Sequence, residues 1–295
     1  MYRKVPIIIS LLLLAVTASA QTTMWAIHLP YYGQRDLYLD DTRIEGDNLS
    51  AVNLRVVYRY TAVIDTIETA KTESLMLLET GNNLTKYGSY EKFQMDSLMK
   101  ARPELTVVSS ALHVLSKKLF IPEDYHEAII HDLSSGRETV IGRIVATDFI
   151  YEEPIPTFSW QLTDEMDAWC GYTIQKAVCS FRGRTYEAWF TFDIPVSAGP
   201  WKFRGLPGLI LKVSDLDRHY CFEAISVSNQ QAGSISRPRY AFQKTNRKDY
   251  LTGRAQILAN YPLYQRYYNN GSGIVVSPPS SYQRKELRID LIEKE

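Results

Sequence analysis

Alternation of apolar and polar positions with a period of two is the dominant pattern in this chain. It is longest over Ala51–Ile64. There Val52, Leu54, Val56, Tyr58, Tyr60, Ala62 and Ile64 share one parity, and Asn53, Arg55, Arg59 and Thr61 fill much of the other. Successive side chains of an extended chain point to opposite faces, so this pattern predicts a strand with one face on a core and one in water. It is more than twice the usual length of about 5–6 residues, which places it in a strongly twisted or curled sheet. Thr72–Thr80 reads as its partner, closed by Gly81-Asn82-Asn83. Tyr125–Leu133 and Glu138–Phe149 flank Ser134-Ser135-Gly136-Arg137, a polar turn whose glycine can take positive φ. Glu152–Pro156 reads as an extended link. A second β cluster follows. Gly171–Phe181 and Arg184–Asp193 flank Arg182-Gly183, with Tyr186, Ala188, Phe190 and Phe192 on one face and Thr185, Glu187, Thr191 and Asp193 on the other. Leu209, Leu211 and Val213 lead into a turn at Asp215–Arg218, and Tyr220–Val227 returns.

Helical spacing is confined to two short stretches. Ser89–Ala101 could bring Phe93 and Leu98, with Met95 or Met99, onto a core, and Arg102-Pro103 stops it because proline disfavours helical geometry in the preceding residue. Lys248–Tyr261 is the second, ending before Pro262. Leu105–Phe120 fits either period. Ser228–Ser236 is polar, and Asn269–Ser281 is rich in Gly, Ser, Asn and Pro and reads as a loop. The expected class is α+β, mostly antiparallel β: a curled sheet or partly open barrel-like architecture with a few short helices. Residues 21–230 form the β domain in this reading. Residues 231–295 are a polar, helical extension packed on the same domain.

The N-terminus changes where this fold is expected to operate. Arg3 and Lys4 precede the apolar run Ile7–Val16, and Ala18-Ser19-Ala20 offers the small-x-small pattern of a signal-peptidase site. Residues 1–20 therefore read as a signal peptide cleaved between Ala20 and Gln21, too short to span a bilayer. The expected location is extracytoplasmic, periplasmic or secreted, with no membrane span in the mature chain. Lys+Arg and Asp+Glu both number 33, so no net charge draws the chain to nucleic acid. The three cysteines are Cys170, Cys179 and Cys221. Cys170 and Cys179 fall at opposite ends of one strand, roughly 30 Å apart, and should not be bonded; any internal disulfide would use Cys221. No C-x-x-C is present.

The most distinctive stretch runs from Lys176 to Ile210. It contains Phe181-Arg182-Gly183-Arg184, Ala188-Trp189-Phe190-Thr191, and Gly199-Pro200-Trp201-Lys202-Phe203-Arg204 followed by Gly205-Leu206-Pro207-Gly208-Leu209-Ile210. With Leu77–Gly81, Lys86–Asp96 and Trp160-Gln161-Leu162, this block resembles the GLPGLI family of secreted Bacteroidota proteins over roughly residues 50–225. That resemblance implies a cell-envelope protein but no catalytic residues, because the family's role is itself unknown. Physically, Pro207-Gly208 suggests a type II turn with Gly208 at positive φ, and Lys202 is expected to be exposed. Two roles stay open for the block. It is a folding element, or its positions Arg182, Arg184, Trp189, Trp201, Phe203, Gly205, Leu206, Pro207 and Gly208 line a binding site.

Other chemistry is weakly signalled. His126 and His131 are five apart, a spacing that shares a face on neither a helix nor a strand, and read as two surface histidines rather than metal ligands. His219 with Asp215 and Asp217 reads as a solvated turn. The basic run Arg237–Arg254 reads as a solvated helix face. No G-x-S-x-G elbow or phosphate-cradling glycine loop occurs, and no cofactor is indicated. Two function classes follow. One is a non-enzymatic binding or accessory protein, its concave aromatic face suited to an apolar small ligand or another envelope protein. The other is an extracytoplasmic enzyme with an unrecognised active site.

Overall fold

The computed structural model describes residues 27–28, 46–63, 71–101, 127–144, 147–229, 233–238, 242–259, 275–276 and 292–293. The proposed leader, His126, most of the Asn269–Ser281 loop and the ambiguous Leu105–Phe120 segment lie outside these residues. The strands are β1 (Ile27–His28), β2 (Gly46–Ala51), β3 (Leu54–Val63), β4 (Lys71–Thr80), β5 (Leu84–Ser89), β6 (Ala128–Asp132), β7 (Arg137–Ile144), β8 (Thr147–Pro154), β9 (Gln161–Trp169), β10 (Tyr172–Phe181), β11 (Arg184–Thr191), β12 (Leu209–Asp215), β13 (Tyr220–Ser228), β14 (Ser234–Pro238), β15 (Gln243–Lys244) and β16 (Val275–Val276). Among the described residues two helices join them, α1 (Tyr90–Ala101) and α2 (Arg247–Ala259). No helix among the described residues is long and apolar enough to cross a membrane.

One twelve-stranded sheet dominates, in the order β15-β8-β7-β6-β5-β4-β3-β13-β12-β11-β10-β9. It consists of two meanders, β3 to β8 and β9 to β13, zipped together where β13 pairs antiparallel with β3 from Tyr220↔Ala62 to Ser228↔Arg55. Every pairing in it is antiparallel except β15 on β8. The sheet curls hard. The indole of Trp169, at the end of β9, donates to the Ala224 carbonyl of β13 at 2.8 Å. Arg182, in the β10–β11 turn, reaches Glu153 of β8, nine places away in strand order. Its two edges do not pair, so this is the curled, unclosed, mostly antiparallel sheet that the alternation implies.

The alternation also fixes which face is inside. Leu54, Val56, Tyr58, Tyr60 and Ala62 of β3 are buried, as are Tyr186, Ala188 and Phe190 of β11 and Tyr220, Phe222 and Ala224 of β13. The long connection from β11 to β12 then enters the concave side. Trp201, Phe203 and Leu206 from this connection are all buried. The Phe203 ring lies 4.8 Å from Tyr186, 5.1 Å from Trp201 and 6.0 Å from Phe222, geometries of edge-to-face and tilted aromatic packing. The expected open aromatic groove is therefore filled by the chain's own side chains. What remains beside Tyr60, Tyr87, Trp201 and Phe222 is a void of about 20 Å³, room for one water.

Several local expectations change. The segment Glu138–Phe149 is two strands, β7 and β8, rather than one, and the supposed link Glu152–Pro156 begins inside β8. Strand β9 escapes pattern reading because it is the sheet's edge: most of it is exposed, so neither face is apolar. Phe192 does not continue the buried face of β11. The strand ends at Thr191 after a register shift, and Phe192 is 56% exposed. The two tight hairpins use residue pairs with both φ positive, Cys170-Gly171 and Arg182-Gly183, the conformation that matches the twist of adjoining strands.

Gly208 is not at positive φ; Gly205 is, at +93°. The requirement at Gly208 is closeness. A Cβ there would collide with the Thr191 carbonyl oxygen, where β12 begins its pairing with β11 through Leu209↔Thr191. At Gly205 nothing lies closer than 3.8 Å to an added Cβ, so only the backbone conformation resists substitution. Gly205→Ala should therefore cost about 1–2 kcal/mol, the strain of a side chain in left-handed space. Gly208→Ala should cost more, about 2–4 kcal/mol, because backbone must move and the β11–β12 register with it. Urea denaturation of both variants checks the order; equal midpoints would refute the close-approach account.

Candidate functional site

The distinctive block folds into two juxtaposed features: a buried ionic cluster and a surface cleft. The cluster centres on Lys202. Far from exposed, this residue is 1% accessible. The preceding Trp201 takes φ +53°, turning the chain so that residues 201–203 all point inward. Lys202 Nζ lies 2.9 Å from Glu138 Oε1 of β7, 3.0 Å from Glu153 Oε1 of β8 and 2.9 Å from Glu293 Oε1 near the C-terminus. The Glu138 oxygen sits off the hydrogen-bond axis, so that contact is charge against charge. Arg182 of the β10–β11 turn bonds Glu293 at 2.6 Å and Glu153 at 3.2 Å. Arg247, at the start of α2, bonds the other Glu293 oxygen at 2.6 Å.

Lys202, Arg182 and Arg247 thus face Glu138, Glu153 and Glu293, three cations against three carboxylates. Burial alone would raise the Glu138 carboxyl. The hydrogen bond to His131 at 2.8 Å and the charge of Lys202 outweigh that and bring it down to about 2. Burial likewise works against the Glu293 carboxylate and the Lys202 ammonium, and their opposite charges hold both in the ionised form. His131 is no surface histidine: it is buried, with its other ring nitrogen 3.3 Å from Thr85 Oγ1. Among the described residues its members are engaged with one another, which ties β7, β8, the β10–β11 turn, the β11–β12 connection and the start of α2 together.

The cleft is the second feature. It encloses about 410 Å³ and is lined by the segment Ile194–Ala198, by Asn53, Leu54, Thr80, Gly81 and Thr85, and by Asn82, Leu133, Arg204 and Asn229. Its volume falls within the range of ordinary small-molecule sites. Ser197 Oγ accepts from the Gly205 backbone N–H at 3.1 Å, and Trp160 Nε1 donates to the Arg204 carbonyl at 2.7 Å. Those two bonds tether the motif segment that forms this wall.

The residues singled out from sequence divide among several places. Trp201, Phe203 and Leu206 are core, Arg182 belongs to the ionic cluster, and Pro207 is exposed. Arg184 is buried against Asp215 at 2.9 Å, with its guanidinium over the Tyr220 ring. Trp189 sits half-buried on the other face of β11, near Lys176 and Lys212. Asp215, Asp217 and His219 can present atoms within 4.8 Å of one another. Asp215, however, is engaged by Arg184 and by the Tyr220 N–H at 2.8 Å, so the turn is not simply solvated. The basic run is not simply a solvated face either: Arg254 is buried and paired with Glu127, and Arg247 joins Glu293. All three cysteines are free thiols; burial pushes Cys179 up to about 12. Glu138, Glu153 and Glu293 went unselected because nothing in their local sequence marks them.

A family model described as "Protein of unknown function (Porph_ging)" matches residues 180–212, the span that supplies Arg182, Lys202, Arg204 and the cleft wall. No curated protein matches the chain. Among solved structures, PNGF-II in the P21 space group is similar at 16% identity and a TM-score of 0.48, covering 69% of this chain and 33% of that one. PNGF-II in the C2 space group gives 16% and 0.47 with the same coverage. The chain thus spans about a third of the length of those structures.

Removing the central ammonium leaves three carboxylates without their shared cation. Lys202→Met should destabilise the protein by about 3–5 kcal/mol, the cost of orphaning buried charge, although the side chain is of similar length. The carboxylates also set an acid limit. Glu138 has a depressed folded pKa, so its stabilisation is present above its ordinary value near 4.5 and is lost as pH falls towards about 2. That contribution is on the order of 3 kcal/mol. Melting temperatures of wild type should fall between pH 4.5 and 2, and the slope should be shallower in Glu138→Gln. Parallel slopes would contradict the assignment.

Proposed function

We propose that this is an extracytoplasmic, non-enzymatic binding or accessory protein of the cell envelope, of the GLPGLI type, and that its ligand occupies the cleft against Ile194–Ala198. One observation carries the reading. The cleft combines an apolar wall (Leu54, Ile194, Val196, Ala198) with amide and hydroxyl groups (Asn53, Asn82, Ser197, Thr80), and no acid–base pair lines it. Such a surface holds and orients a ligand but offers no nucleophile–base constellation. The match over residues 180–212 supports the family reading because that span contains the Gly205–Ile210 string. The leader pattern Ala18-Ser19-Ala20 supports export with cleavage after Ala20.

Among the described residues, an enzymatic reading would first recruit the buried ionisable group His131, Glu138 and Lys202. Each is at most 5% accessible, and each already has a partner. Export is checked by N-terminal sequencing of protein recovered from the extracytoplasmic fraction, with Gln21 expected first; a mature chain retaining Arg3 and Lys4 refutes it. Binding is checked by native mass spectrometry of protein purified from its own envelope. A bound species that is lost on Val196→Arg, a change that places a long charged side chain at the half-buried cleft wall, is the expected result, with a melting curve confirming that the variant folds. An identical spectrum for both proteins counts against the cleft.

A further inference from the structure

The cleft carries a charge signature that names the class of its ligand. Among the described residues that line it, Arg204 is the sole charged one; the others are amide, hydroxyl or apolar, with no aspartate or glutamate. The described arginines of the interior each face a carboxylate: Arg55 with Glu79, Arg143 with Asp148, Arg182 with Glu153 and Glu293, Arg184 with Asp215, Arg254 with Glu127. Arg204 is half-buried and makes no such pair among the described residues; its one hydrogen bond is through its backbone carbonyl, to Trp160. Burial is the sole influence on its guanidinium and pulls its pKa below the ordinary value, with no neighbouring acid to restore it.

A guanidinium deprived of part of its hydration and given no counter-charge gains when an anion arrives to pair with it. Its backbone is held by Trp160 on one side and by the Gly205 N–H bond to Ser197 on the other, so the residue is positioned rather than trailing in solvent. Resting on the binding role proposed above, we infer that the cleft receives a small ligand with an anionic oxyacid head, carboxylate or phosphate, on an apolar body. The head pairs with Arg204, whose planar fork matches two oxygens at once. The body lies along Leu54, Ile194, Val196 and Ala198, and the Asn53–Asn82 amide pair at 3.0 Å borders the mouth.

Isothermal titration of the full chain with three probes of matched apolar body tests this: hexanoate, hexyl phosphate and the neutral hexanamide. One or both anions should bind more tightly than the amide by about tenfold or more, the effect expected of a charge-assisted pair. The preferred anion identifies the head group. Arg204→Gln should abolish the preference while changing the melting temperature little, since among the described residues no hydrogen bond or ion pair uses its side chain and glutamine keeps part of its stem. Anion binding that persists in Arg204→Gln overturns the inference. So does hexanamide binding as well as the anions, in which case the cleft is still a binding site and only its charge selectivity is wrong. Failure of all three probes to bind up to millimolar concentration overturns the anionic assignment, and the mass-spectrometric comparison of Val196→Arg with wild type then decides separately whether the cleft binds anything.

Discussion

The ammonium of Lys202 is where four distant parts of the chain meet. Glu138 and Glu153 come from neighbouring strands of the first meander, Glu293 from the C-terminal end, and Lys202 itself from the connection between β11 and β12. A sheet of twelve strands with unpaired edges has no closure to hold its curl. Here the curl is held from inside. The connection enters the concavity, its aromatic residues cover Tyr186 and Phe222, and its lysine ties the β11–β12 connection to β7 and β8, near the other end of the hydrogen-bonded order. Buried ion pairs return little net energy against their desolvation, but they are severe about geometry, because any misplacement leaves a charge orphaned. The cluster therefore contributes mainly by excluding alternative curvatures.

Glu293 gives the residues around it a part in the same cluster. Without Glu293, the remaining members would be Lys202, Arg182 and Arg247 against Glu138 and Glu153, an excess of one positive charge in a largely buried site. Ile292 fills apolar space beside that carboxylate, and its carbonyl accepts from Tyr186 Oη at 3.0 Å. The C-terminal end is consequently part of the core's electrostatics. Helix α2 reinforces this from the other side: Tyr250 packs 5.5 Å from Tyr151, and Arg247 takes the second oxygen of Glu293.

Much of the sheet was legible because period-two patterning is a direct consequence of strand geometry. The buried faces of β3, of β11 up to Phe190 and of β13 up to Ala224 follow their alternation, whereas Thr191 and Ile210 are buried on the opposite parity and Phe192 lies beyond the end of its strand. What eluded sequence reading shares one cause: it depends on partners remote in the chain. Strand β9 is exposed on both faces, so no pattern records it. Gly208 looked like a positive-φ glycine beside a proline, yet its constraint is the carbonyl of Thr191, seventeen positions earlier. His131 and the three glutamates carry no local signal, because their pairing is created by the curl itself. A lysine between two aromatic residues could equally have been exposed; only the carboxylates opposite decide that it is not.

Lys202 and Arg204 show how far that tertiary decision reaches. They are two residues apart in one short segment, both cationic, both flanking Phe203. One meets three carboxylates and is wholly buried; the other meets none and remains at a cleft. The difference is not chemical, since either cation would accept either environment. It follows from supply. Glu138 and Glu153 project from strands that line the concavity, whereas the walls beside Arg204 are built from the Asn53–Leu54 entry to β3, the Thr80–Gly81 end of β4 and the Ile194–Ala198 segment, none of which contributes an acid. A fold that neutralises each of its other described interior arginines while leaving this one at a cavity wall has separated two uses of positive charge within three residues: the first is consumed in holding the sheet's shape, and the second stays available to whatever anion the cleft admits.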